Sequence, residues 1–215
     1  MRTSRPSVYA PAQESTAPLA HLPVRFVGSF PDATHRLSPA RPEIALLGRS
    51  NVGKSSLLNA LLGRSLARVS GRPGRTAFIN VFELPTLYLL DLPGYGFTRV
   101  SQGEQRRYQR LIQDVLVRRK TLTAVLWLLD IRHDPTREDL AHGDALAARG
   151  LPVLVALTKA DKLPFAQRRR RLQALQAMLA LPEEQLQLTS STSGEGLGEL
   201  GESLLAVAPT KEGPP

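Results

Sequence analysis

A nine-residue segment between an apolar run and an amphipathic run places the strongest constraint on the fold of this 215-residue chain. The segment, GRSNVGKSS at residues 48–56, follows IALL and precedes LLNALLG. It matches G-x-x-x-x-G-K-[ST], in which glycines let backbone amides face an anion and the following helix N-terminus adds positive potential. The pattern predicts a phosphate cradle, with Lys54 on the β- and γ-phosphates and the Ser55 hydroxyl on Mg²⁺. An ordinary polar turn is the alternative.

Strand-like and helix-like segments alternate along the rest of the chain. Apolar segments typical of strands occupy residues 24–30, 43–48, 78–84, 87–92, 124–131, 152–159 and 185–190. Segments with helical spacing of apolar residues occupy 54–63, 102–120, 136–149, 165–180 and 196–208. Apolar strands separated by helices indicate a mostly parallel sheet that is covered on both faces. The sequence therefore predicts an α/β fold whose ligands bind at the carboxyl ends of the strands.

Composition bears on domain organisation and location. Residues 1–22 and 208–215 are rich in small residues and proline without periodicity, which predicts a disordered leader and tail around one folded domain, 23–207. No segment reaches the roughly 18 consecutive apolar residues of a membrane span, and the first residues lack the apolar core of a signal peptide. The absence of cysteine suits a reducing compartment. We therefore expect a cytoplasmic protein without a membrane contact.

The charge balance favours polyanionic partners. The formal net charge is +9, and arginine supplies most of the positive charge because only five of the 28 basic residues are lysine. Guanidinium groups contact phosphates through two parallel hydrogen bonds, which makes nucleic acid the first candidate. A codon bias toward arginine would give the same composition, so charge alone leaves the partner open.

A second motif, DLPG at residues 91–94, ends the predicted strand 87–92. A carboxylate at this place can hold Mg²⁺ directly or through water, and Gly94 lets a backbone amide approach the γ-phosphate. The motif is short, so its specificity comes from its position after the cradle. Thr76, in the glycine- and proline-rich segment RVSGRPGRT, is the candidate hydroxyl ligand of a γ-phosphate sensor. A plain loop threonine is the alternative.

The segment TKAD at residues 158–161 follows a predicted buried strand and indicates which base is bound. The Asp161 carboxylate can accept hydrogen bonds from guanine N1–H and from its N2 amino group, whereas adenine offers no such donor pair. The aliphatic stem of Lys159 can lie along the purine ring. Backbone amides around Ser190 and Ser191 can bond the guanine carbonyl, although Ser/Thr/Gly clusters are often simple loops. The sequence therefore predicts a guanine nucleotide.

Several motifs together resemble those of a known family. GRSNVGKSSLLNALL, PGRT, DLPGYGF, DIRH-x-P and TKADK are similar to segments of the EngB (YihA-type) ribosome-biogenesis GTP-binding proteins, and the resemblance covers roughly residues 24–207. That family belongs to the TrmE-Era-EngA-EngB-like GTPases. The resemblance implies a three-layer, Ras-like P-loop GTPase domain with a mostly parallel six-stranded sheet and one antiparallel strand, FINVFEL.

The resemblance also implies a function. It implies GTP and GDP binding, dependence on Mg²⁺ and slow hydrolysis of GTP to GDP and phosphate. It further implies that the protein, as a monomer, acts in late assembly of the bacterial large ribosomal subunit, contacts ribosomal RNA, and is linked to normal growth and septation.

The resemblance finally assigns roles to individual residues. The implied catalytic residues are Lys54, Thr76 and Gly94. The implied Mg²⁺ ligands are Ser55 and Thr76, with Asp91 acting through water. The implied GTP contacts form four clusters along the chain: Gly48, Arg49, Ser50, Asn51, Val52, Gly53, Lys54, Ser55 and Ser56; Gly74, Arg75, Thr76, Ala77 and Phe78; Asp91, Leu92, Pro93 and Gly94; and Thr158, Lys159, Ala160 and Asp161 with Thr189, Ser190, Ser191 and Thr192.

Tyr95 stands directly after the DxxG glycine, where many GTPases carry a glutamine that orients water. Because a phenol cannot act as a carboxamide does, we expect a low intrinsic rate of hydrolysis. A K⁺ ion near Asn51, which related GTPases with asparagine at this place use, is one candidate activator, and the ribosome is the other. An asparagine that merely braces the loop is the alternative for Asn51.

Arginines cluster in and after the two predicted switch segments, 64–77 and 93–104. They are Arg72, Arg75, Arg99, Arg106, Arg107 and Arg110. We hypothesise that they contact ribosomal RNA phosphates in a nucleotide-dependent way. In the run RRRR at 168–171, four consecutive helical residues point around the whole axis, so some must be solvated. Two other functions stay open: a nucleotide-gated RNA- or ribosome-binding module with incidental hydrolysis, and a GTPase of another RNA process.

Overall fold

The computed structural model describes residues 17–67, 78–96 and 100–208. Its strands are β1 (Arg25–Phe30), β2 (Glu43–Gly48), β3 (Ile79–Glu83), β4 (Tyr88–Asp91), β5 (Leu122–Asp130), β6 (Val153–Thr158) and β7 (Leu186–Leu188). Its helices are α1 (Lys54–Leu62), α2 (Gln102–Arg118), α3 (Arg137–Arg149), α4 (Phe165–Leu179) and α5 (Leu197–Ala206). None of these helices combines the length and the apolar character that crossing a bilayer requires.

The strands form one sheet in the order β1-β3-β4-β2-β5-β6-β7. Strands β4, β2, β5, β6 and β7 run parallel, and β3 is antiparallel to both of its neighbours. The prediction of a mostly parallel sheet with FINVFEL as the reversed strand is confirmed. The sheet has seven strands rather than six because β1 extends its edge, where the Phe26 ring lies 5.4 Å from that of Phe82.

Alternation of side chains along the central strands gives the sheet two apolar faces. Leu46 of β2 points to the face covered by α1 and α5, and its neighbour Leu47 points to the face covered by α2, α3 and α4. Trp127 packs on the face covered by α2, α3 and α4 and is buried. Helices on both faces of a sheet make the three layers that the family resemblance implies.

The segment before β1 belongs in part to the folded core. Residues Pro18–His21 form a 3-10 helix, and the fully buried Leu19 packs in the cluster that contains α1 and α5. The close approach requires glycine at position 201, because a Cβ there would lie 2.8 Å from the Pro18 ring. The prediction of a disordered leader over residues 1–22 is therefore wrong for residues 17–22. Residues 1–16 lie outside the described part of the chain.

The predicted tail shows a smaller difference. Ala208 is buried at 5% exposure and packs in the same cluster as α5, so the ordered chain extends one residue beyond the predicted end of the domain. Residues 209–215 lie outside the described residues.

A buried ion pair joins the start of β2 to the end of α2. The Arg119 guanidinium donates from Nη2 to Glu43 Oε1 at 2.7 Å and from Nε to Oε2 at 2.5 Å. Its Nη1 donates to the carbonyl oxygens of Ala33 and His35 at 3.1 and 2.9 Å. With Glu43 2% exposed and Arg119 8% exposed, the pair fixes the β1–β2 connection against the sheet.

Candidate nucleotide-binding site

The predicted phosphate cradle is a tight loop between β2 and α1. A Cβ at Gly48 would lie 2.9 Å from Val52 Cγ1 and 3.0 Å from the Leu128 carbonyl oxygen, so only glycine fits there. Gly53 has φ 105°, a left-handed conformation that favours glycine, and α1 begins directly after it at Lys54 without a side-chain cap. The first amides of α1 are therefore available to an anion.

The last residue of β6 and the residue after it donate hydrogen bonds to the backbone of the cradle. The Thr158 hydroxyl donates to the Val52 carbonyl oxygen at 2.7 Å, and the Lys159 ammonium donates to the Asn51 carbonyl oxygen at 2.7 Å. The Lys159 stem passes Gly53, since a Cβ on that glycine would lie 3.9 Å from Lys159 Cε. This path places the stem between the cradle and the base-reading segment, where it can lie along a purine ring.

Asp130, the last residue of β5, fixes Lys159 from the opposite side. Its carboxylate pairs with Lys159 Nζ at 2.9 Å and accepts from Arg132 Nη2 at 2.7 Å. Burial raises the pKa of Asp130, but the hydrogen bonds from Arg132 and Lys159 outweigh burial and hold that pKa well below its usual range. Sequence reasoning gave Asp130 no role, although it begins the DIRH motif at a strand terminus.

Lys54 and Asp91 are in direct contact and join the start of α1 to the end of β4. The ammonium donates to Asp91 Oδ1, and the Asn80 amide donates to Oδ2 at 3.4 Å. The two side chains are 11% and 7% exposed. The predicted phosphate-binding cation, Lys54, and the predicted Mg²⁺-binding carboxylate, Asp91, thus lie in contact at the carboxyl ends of the parallel strands.

This donor set fits a magnesium ion bound together with phosphates. Mg²⁺ keeps several waters and binds through one or two carboxylates plus substrate phosphates, rather than in an all-protein cage. Ser55 in the first turn of α1 and the buried carboxylate of Asp91 supply such ligands. The bound ion would neutralise charge on the β- and γ-phosphates. Thr76, the other predicted ligand and a predicted catalytic residue, lies outside the described residues.

The end of the DxxG motif lies directly against the cradle. A Cβ at Gly94 would lie 3.0 Å from the Ser50 amide nitrogen, so a side chain at this position would force the two loops apart. The Ser50 amide donates to the Tyr95 carbonyl oxygen at 2.7 Å, and the Tyr95 amide donates to the Gly48 carbonyl oxygen at 3.3 Å. A group that enters the cradle beside Gly94 therefore contacts both loops at once.

The base-reading residues are held by the loop after β7. Asp161 Oδ1 accepts from the Ser190 hydroxyl at 2.7 Å, and Ser190 Oγ in turn accepts from the Thr192 amide at 3.1 Å. The Ser190 hydrogen bond lowers the pKa of Asp161, with a smaller contribution from Lys162. The carboxylate is therefore ionised at neutral pH and can accept hydrogen bonds from a ligand, as the predicted guanine contact requires.

The side chains of two predicted contact residues, Thr189 and Leu92, are buried in the core and are not exposed to a ligand. Thr189 is fully buried, donates from its amide to Leu157 at 2.9 Å, and accepts from the Ala160 amide at 3.1 Å. Leu92 is 1% exposed and packs in the core, so only its backbone is available to a ligand. Both residues keep the base- and phosphate-reading segments in register with the sheet.

The side chain of Tyr95 points into the core, away from the cradle. Its hydroxyl donates to Asp139 Oδ1 at 2.7 Å and accepts from Trp127 Nε1 at 2.9 Å, and its ring lies 4.2 Å from that of His142. Burial, followed by the nearby Asp139 charge, raises the pKa of Tyr95 above its usual range, so the phenol stays neutral. Burial also lowers the pKa of His142. Because the Tyr95 side chain is buried in the core and bonded there, its phenol has no part in orienting a water at the phosphates.

Sequence reasoning missed the partner of Tyr95. Asp139 is 2% exposed and closes the capping box of α3, accepting from the Thr136 amide at 2.8 Å through Oδ2. The signal present in the sequence was the T-x-x-D spacing of a capping box, which predicts the helix start but not the bond to Tyr95.

Replacing Tyr95 by phenylalanine is expected to lower the free energy of unfolding by about 1–3 kcal/mol, because Asp139 Oδ1 and Trp127 Nε1 lose a buried partner. Urea unfolding measures this loss. The emission of Trp127, the only tryptophan, should shift because its N–H loses an acceptor. Single-turnover hydrolysis at saturating GTP should change less than about threefold, since the hydroxyl does not reach the phosphates. A much larger fall with intact nucleotide binding would assign the hydroxyl a catalytic role.

Most of the predicted contact residues lie at the end of the sheet where the parallel strands have their carboxyl ends. Residues 48–56, 91–94, 158–161 and 189–192 follow or lie between the carboxyl ends of β2, β4, β6 and β7. Phe78 is 37% exposed and precedes β3 at the same end of the sheet, two residues before Asn80, which pairs in register with Asp91. Gly74, Arg75, Thr76 and Ala77 lie outside the described residues, so their predicted contacts stay predictions.

Comparison with known proteins agrees with this geometry. A family described as 50S ribosome-binding GTPase matches residues 43–159. A probable GTP-binding protein EngB of Gemmatimonas aurantiaca is 47% identical over 168 residues, which cover 77% of this chain and 82% of the relative. Another, from Streptococcus pneumoniae, is 40% identical over 180 residues, covering 82% and 92% of the two chains.

A solved structure shares the fold. The crystal structure of a probable GTP-binding protein engB superposes with a TM-score of 0.66 at 22% identity, covering 77% of this chain and 97% of that one. The GTPase family match spans the cradle, the DxxG segment and the start of TKAD, and the sequence relatives extend over most of the chain. This protein therefore belongs to the EngB family of GTP-binding proteins and is a GTPase.

Proposed function

We propose that this protein is a GTP-dependent switch that acts in late assembly of the large ribosomal subunit in the bacterial cytoplasm. The observation that carries the proposal is the bonding of the cradle to the DxxG end, where the Ser50 amide donates to the Tyr95 carbonyl oxygen at 2.7 Å. A γ-phosphate at this junction would change both loops. The description of the matching family as ribosome-binding supports the large subunit as the partner.

In this proposal helix α2 carries the surface that contacts ribosomal RNA in response to the bound nucleotide. The chain leaves Tyr95, passes the segment 97–99, and enters α2 through a capping box in which Ser101 and Glu104 bond each other's backbone amides. Arg106, Arg107 and Arg110 are exposed on α2 and have no ion pair within the described ranges 17–67, 78–96 and 100–208. Because the connection 95–101 joins the DxxG segment to α2, a nucleotide-dependent change in that segment would alter how these arginines are presented to ribosomal RNA phosphates.

Co-sedimentation with purified bacterial large subunits tests this proposal. We expect the protein loaded with a non-hydrolysable GTP analogue to pellet with the subunits, and the GDP form to pellet far less. The bound fraction should fall steeply as salt rises, because RNA phosphates release counterions on binding. Equal binding in the two nucleotide states, or binding that does not respond to salt, would contradict the proposal.

The proposal extends to growth and cell division. If large-subunit assembly depends on the switch, depletion of the protein should cause precursors of the large subunit to accumulate before growth slows and septation fails. Septation defects without accumulated precursors would separate cell division from ribosome assembly.

Mg²⁺ and K⁺ have separate places in the proposed reaction. Mg²⁺ would be held by Ser55, Thr76 and, through water, Asp91. K⁺ would bind near Asn51, an exposed residue with a left-handed φ of 63°. Because Tyr95 cannot orient water, the ion would supply part of the missing charge stabilisation.

Single-turnover hydrolysis by the isolated protein is expected to be slow, and faster in KCl than in NaCl at equal ionic strength. An Asn51→Ala variant should lose the difference between the two salts while keeping GDP affinity within about threefold of the unmodified chain. Rates that agree within error in the two salts would remove the K⁺ site. A rate in the range of about 5–20 s⁻¹, typical of GTPases assisted by an arginine from a partner, would contradict the slow reaction itself.

The buried side chain of Tyr95 favours a second candidate, a nucleotide-gated ribosome-binding module in which hydrolysis is incidental. Multiple-turnover hydrolysis with and without large subunits separates the two functions. Strong stimulation by the subunits supports the hydrolysing switch, and no stimulation supports the gated module.

A further inference from the structure

The arginine run of α4 divides into two bonded and two free side chains. Arg168 donates to Glu195 at 2.6 Å and to the Leu163 carbonyl oxygen at 3.0 Å. Arg171 pairs with Asp134 at 2.7 Å and donates to the Ile131 carbonyl oxygen at 2.7 Å. These two arginines therefore bind α4 to the loops after β5, β6 and β7, and their presence is explained by the fold.

The other two arginines have no such explanation. Arg169 and Arg170 are exposed, and within the described part of the chain neither side chain has an ion pair or hydrogen bond. Helix α4 contains no acidic residue that could balance these charges. Both guanidinium groups are therefore available to an external anion.

An exposed aromatic ring stands beside these charges. Phe165 is 84% exposed, the highest among the exposed large apolar residues of the described chain. It is four residues before Arg169 and so shares its side of α4. The Arg168 guanidinium carbon lies 5.9 Å from the centre of the ring, and Arg168 is itself fixed by Glu195. The ring is therefore held at the surface on the same side of α4 as the unpaired cation of Arg169, and Arg170 is the next residue around the helix.

We propose that the exposed surface near the amino end of α4, the α4 face formed by Phe165, Arg169 and the adjoining Arg170, binds unpaired RNA. The ring offers a platform on which one base stacks, and the two guanidinium groups bind the flanking phosphates. Stacking of bases on aromatic side chains combined with basic groups that follow the backbone is how proteins hold single-stranded nucleic acid. The inference rests on the proposed function, in that it gives the assembly factor a second RNA contact.

This contact differs from the one on α2 in its response to the nucleotide. The bonds of Arg168 and Arg171 lead to the loops after β5, β6 and β7, and among the described residues none leads to 64–67, 93–96 or 100–104. The α4 face is therefore expected to bind RNA equally in the GDP and GTP states. It would hold the protein on RNA while α2 engages only in the GTP state.

Fluorescence anisotropy of a labelled 20-nucleotide oligouridine, titrated with the full chain loaded with GDP, tests the inference. Phe165→Ala should weaken binding by roughly five- to a hundredfold and leave the salt dependence unchanged, because stacking is uncharged. Arg169→Gln with Arg170→Gln should lower the slope of log affinity against log salt by about 1.4, at about 0.7 for each phosphate contact. Affinity unchanged in Phe165→Ala, or a slope unchanged in the double variant, would overturn the inference.

Two controls make the result specific. Val117→Ala truncates another exposed apolar residue, 62% exposed on α2, and should bind the oligonucleotide as the unmodified chain does. Unchanged GDP affinity and melting temperature in each variant show that the fold is intact, since these side chains lie on the surface. Binding to phosphatidylglycerol vesicles that depends on Phe165, without binding to RNA, would assign the face to a membrane surface and overturn the inference.

The outcome can be separated from that of the proposed function. Loss of oligouridine binding in Phe165→Ala, with nucleotide-dependent sedimentation retained, supports the α4 contact within the switch. If the protein binds oligouridine through Phe165 but never sediments with large subunits, the α4 contact stands and the ribosomal function fails. If it sediments in a GTP-dependent way but Phe165 has no effect on RNA binding, the α4 inference alone fails.

Discussion

The substitution Asp161→Asn is expected to lower affinity for GDP by roughly two to four orders of magnitude and to raise affinity for XDP. The carboxylate of Asp161 is ionised and held by Ser190 at 2.7 Å, so it can accept two hydrogen bonds from guanine. Each bond to a charged group contributes about 1.5–3 kcal/mol, and every 1.4 kcal/mol is tenfold in affinity. Xanthine replaces the N2 amino group by a carbonyl, which an asparagine amide can meet as a donor. Calorimetric titration with GDP and XDP measures both changes.

A variant at Ser190 serves as the matched control. Ser190→Ala removes the hydroxyl that orients Asp161 but leaves the carboxylate in place. GDP affinity should then fall by about tenfold without any gain in affinity for XDP, because the Asp161 carboxylate still only accepts hydrogen bonds. A folded Asp161→Asn variant with undiminished GDP affinity would show that another group recognises the ring.

The largest effect on stability is expected at the buried pair of Arg119 and Glu43. Arg119→Ala leaves the Glu43 carboxylate, 2% exposed, without a cation and removes the donor to the Ala33 and His35 carbonyl oxygens. Breaking a buried pair on one side costs about 3–5 kcal/mol, a large share of the stability of a small domain. Urea unfolding of the GDP-free protein measures the change.

Two further variants keep this prediction testable if Arg119→Ala fails to fold. Arg25→Ala breaks an ion pair with Glu83 in which the arginine is 68% exposed, so it should cost less than about 1 kcal/mol. Replacing both members of the buried pair, with Glu43→Leu and Arg119→Met, should recover most of the lost stability because no unpaired charge remains. Equal effects at the buried and exposed pairs would show that burial does not govern their contributions.

The elements of the fold were predictable because their signals are local. The strand pattern at 43–48 and the helix pattern at 165–180 depend on neighbouring residues, and they match β2 and, within one residue, α4. The edge strand predicted at 24–30 matches β1 within one residue, whereas the segment 17–22 was harder. A single buried leucine, Leu19, in a segment rich in proline and alanine gives no periodicity, and its position depends on a gap between α1 and α5 that the sequence does not display.

The candidate site was predictable wherever a motif fixes the backbone, and not where side chains meet across the fold. The spacing around Lys54 and Asp91 predicted residues that the structure brings into contact. Tyr95 and Asp139 are 44 residues apart, and their bond follows from the packing of α3 on the sheet rather than from any local pattern. For the run 168–171, helix geometry predicted that some arginines are solvated, but which ones depends on loops far along the chain.

The central claim is that a glycine-lined loop binds the phosphates while the Asp161 carboxylate selects the ring. Isothermal titration of the full chain in Mg²⁺ with GDP and then with ADP tests this most directly. We expect one GDP to bind per chain, and ADP to bind at least a thousandfold more weakly, because adenine offers the Asp161 carboxylate no donor pair like guanine N1–H and the N2 amino group. Equal affinity for the two nucleotides, or binding of neither, would contradict it.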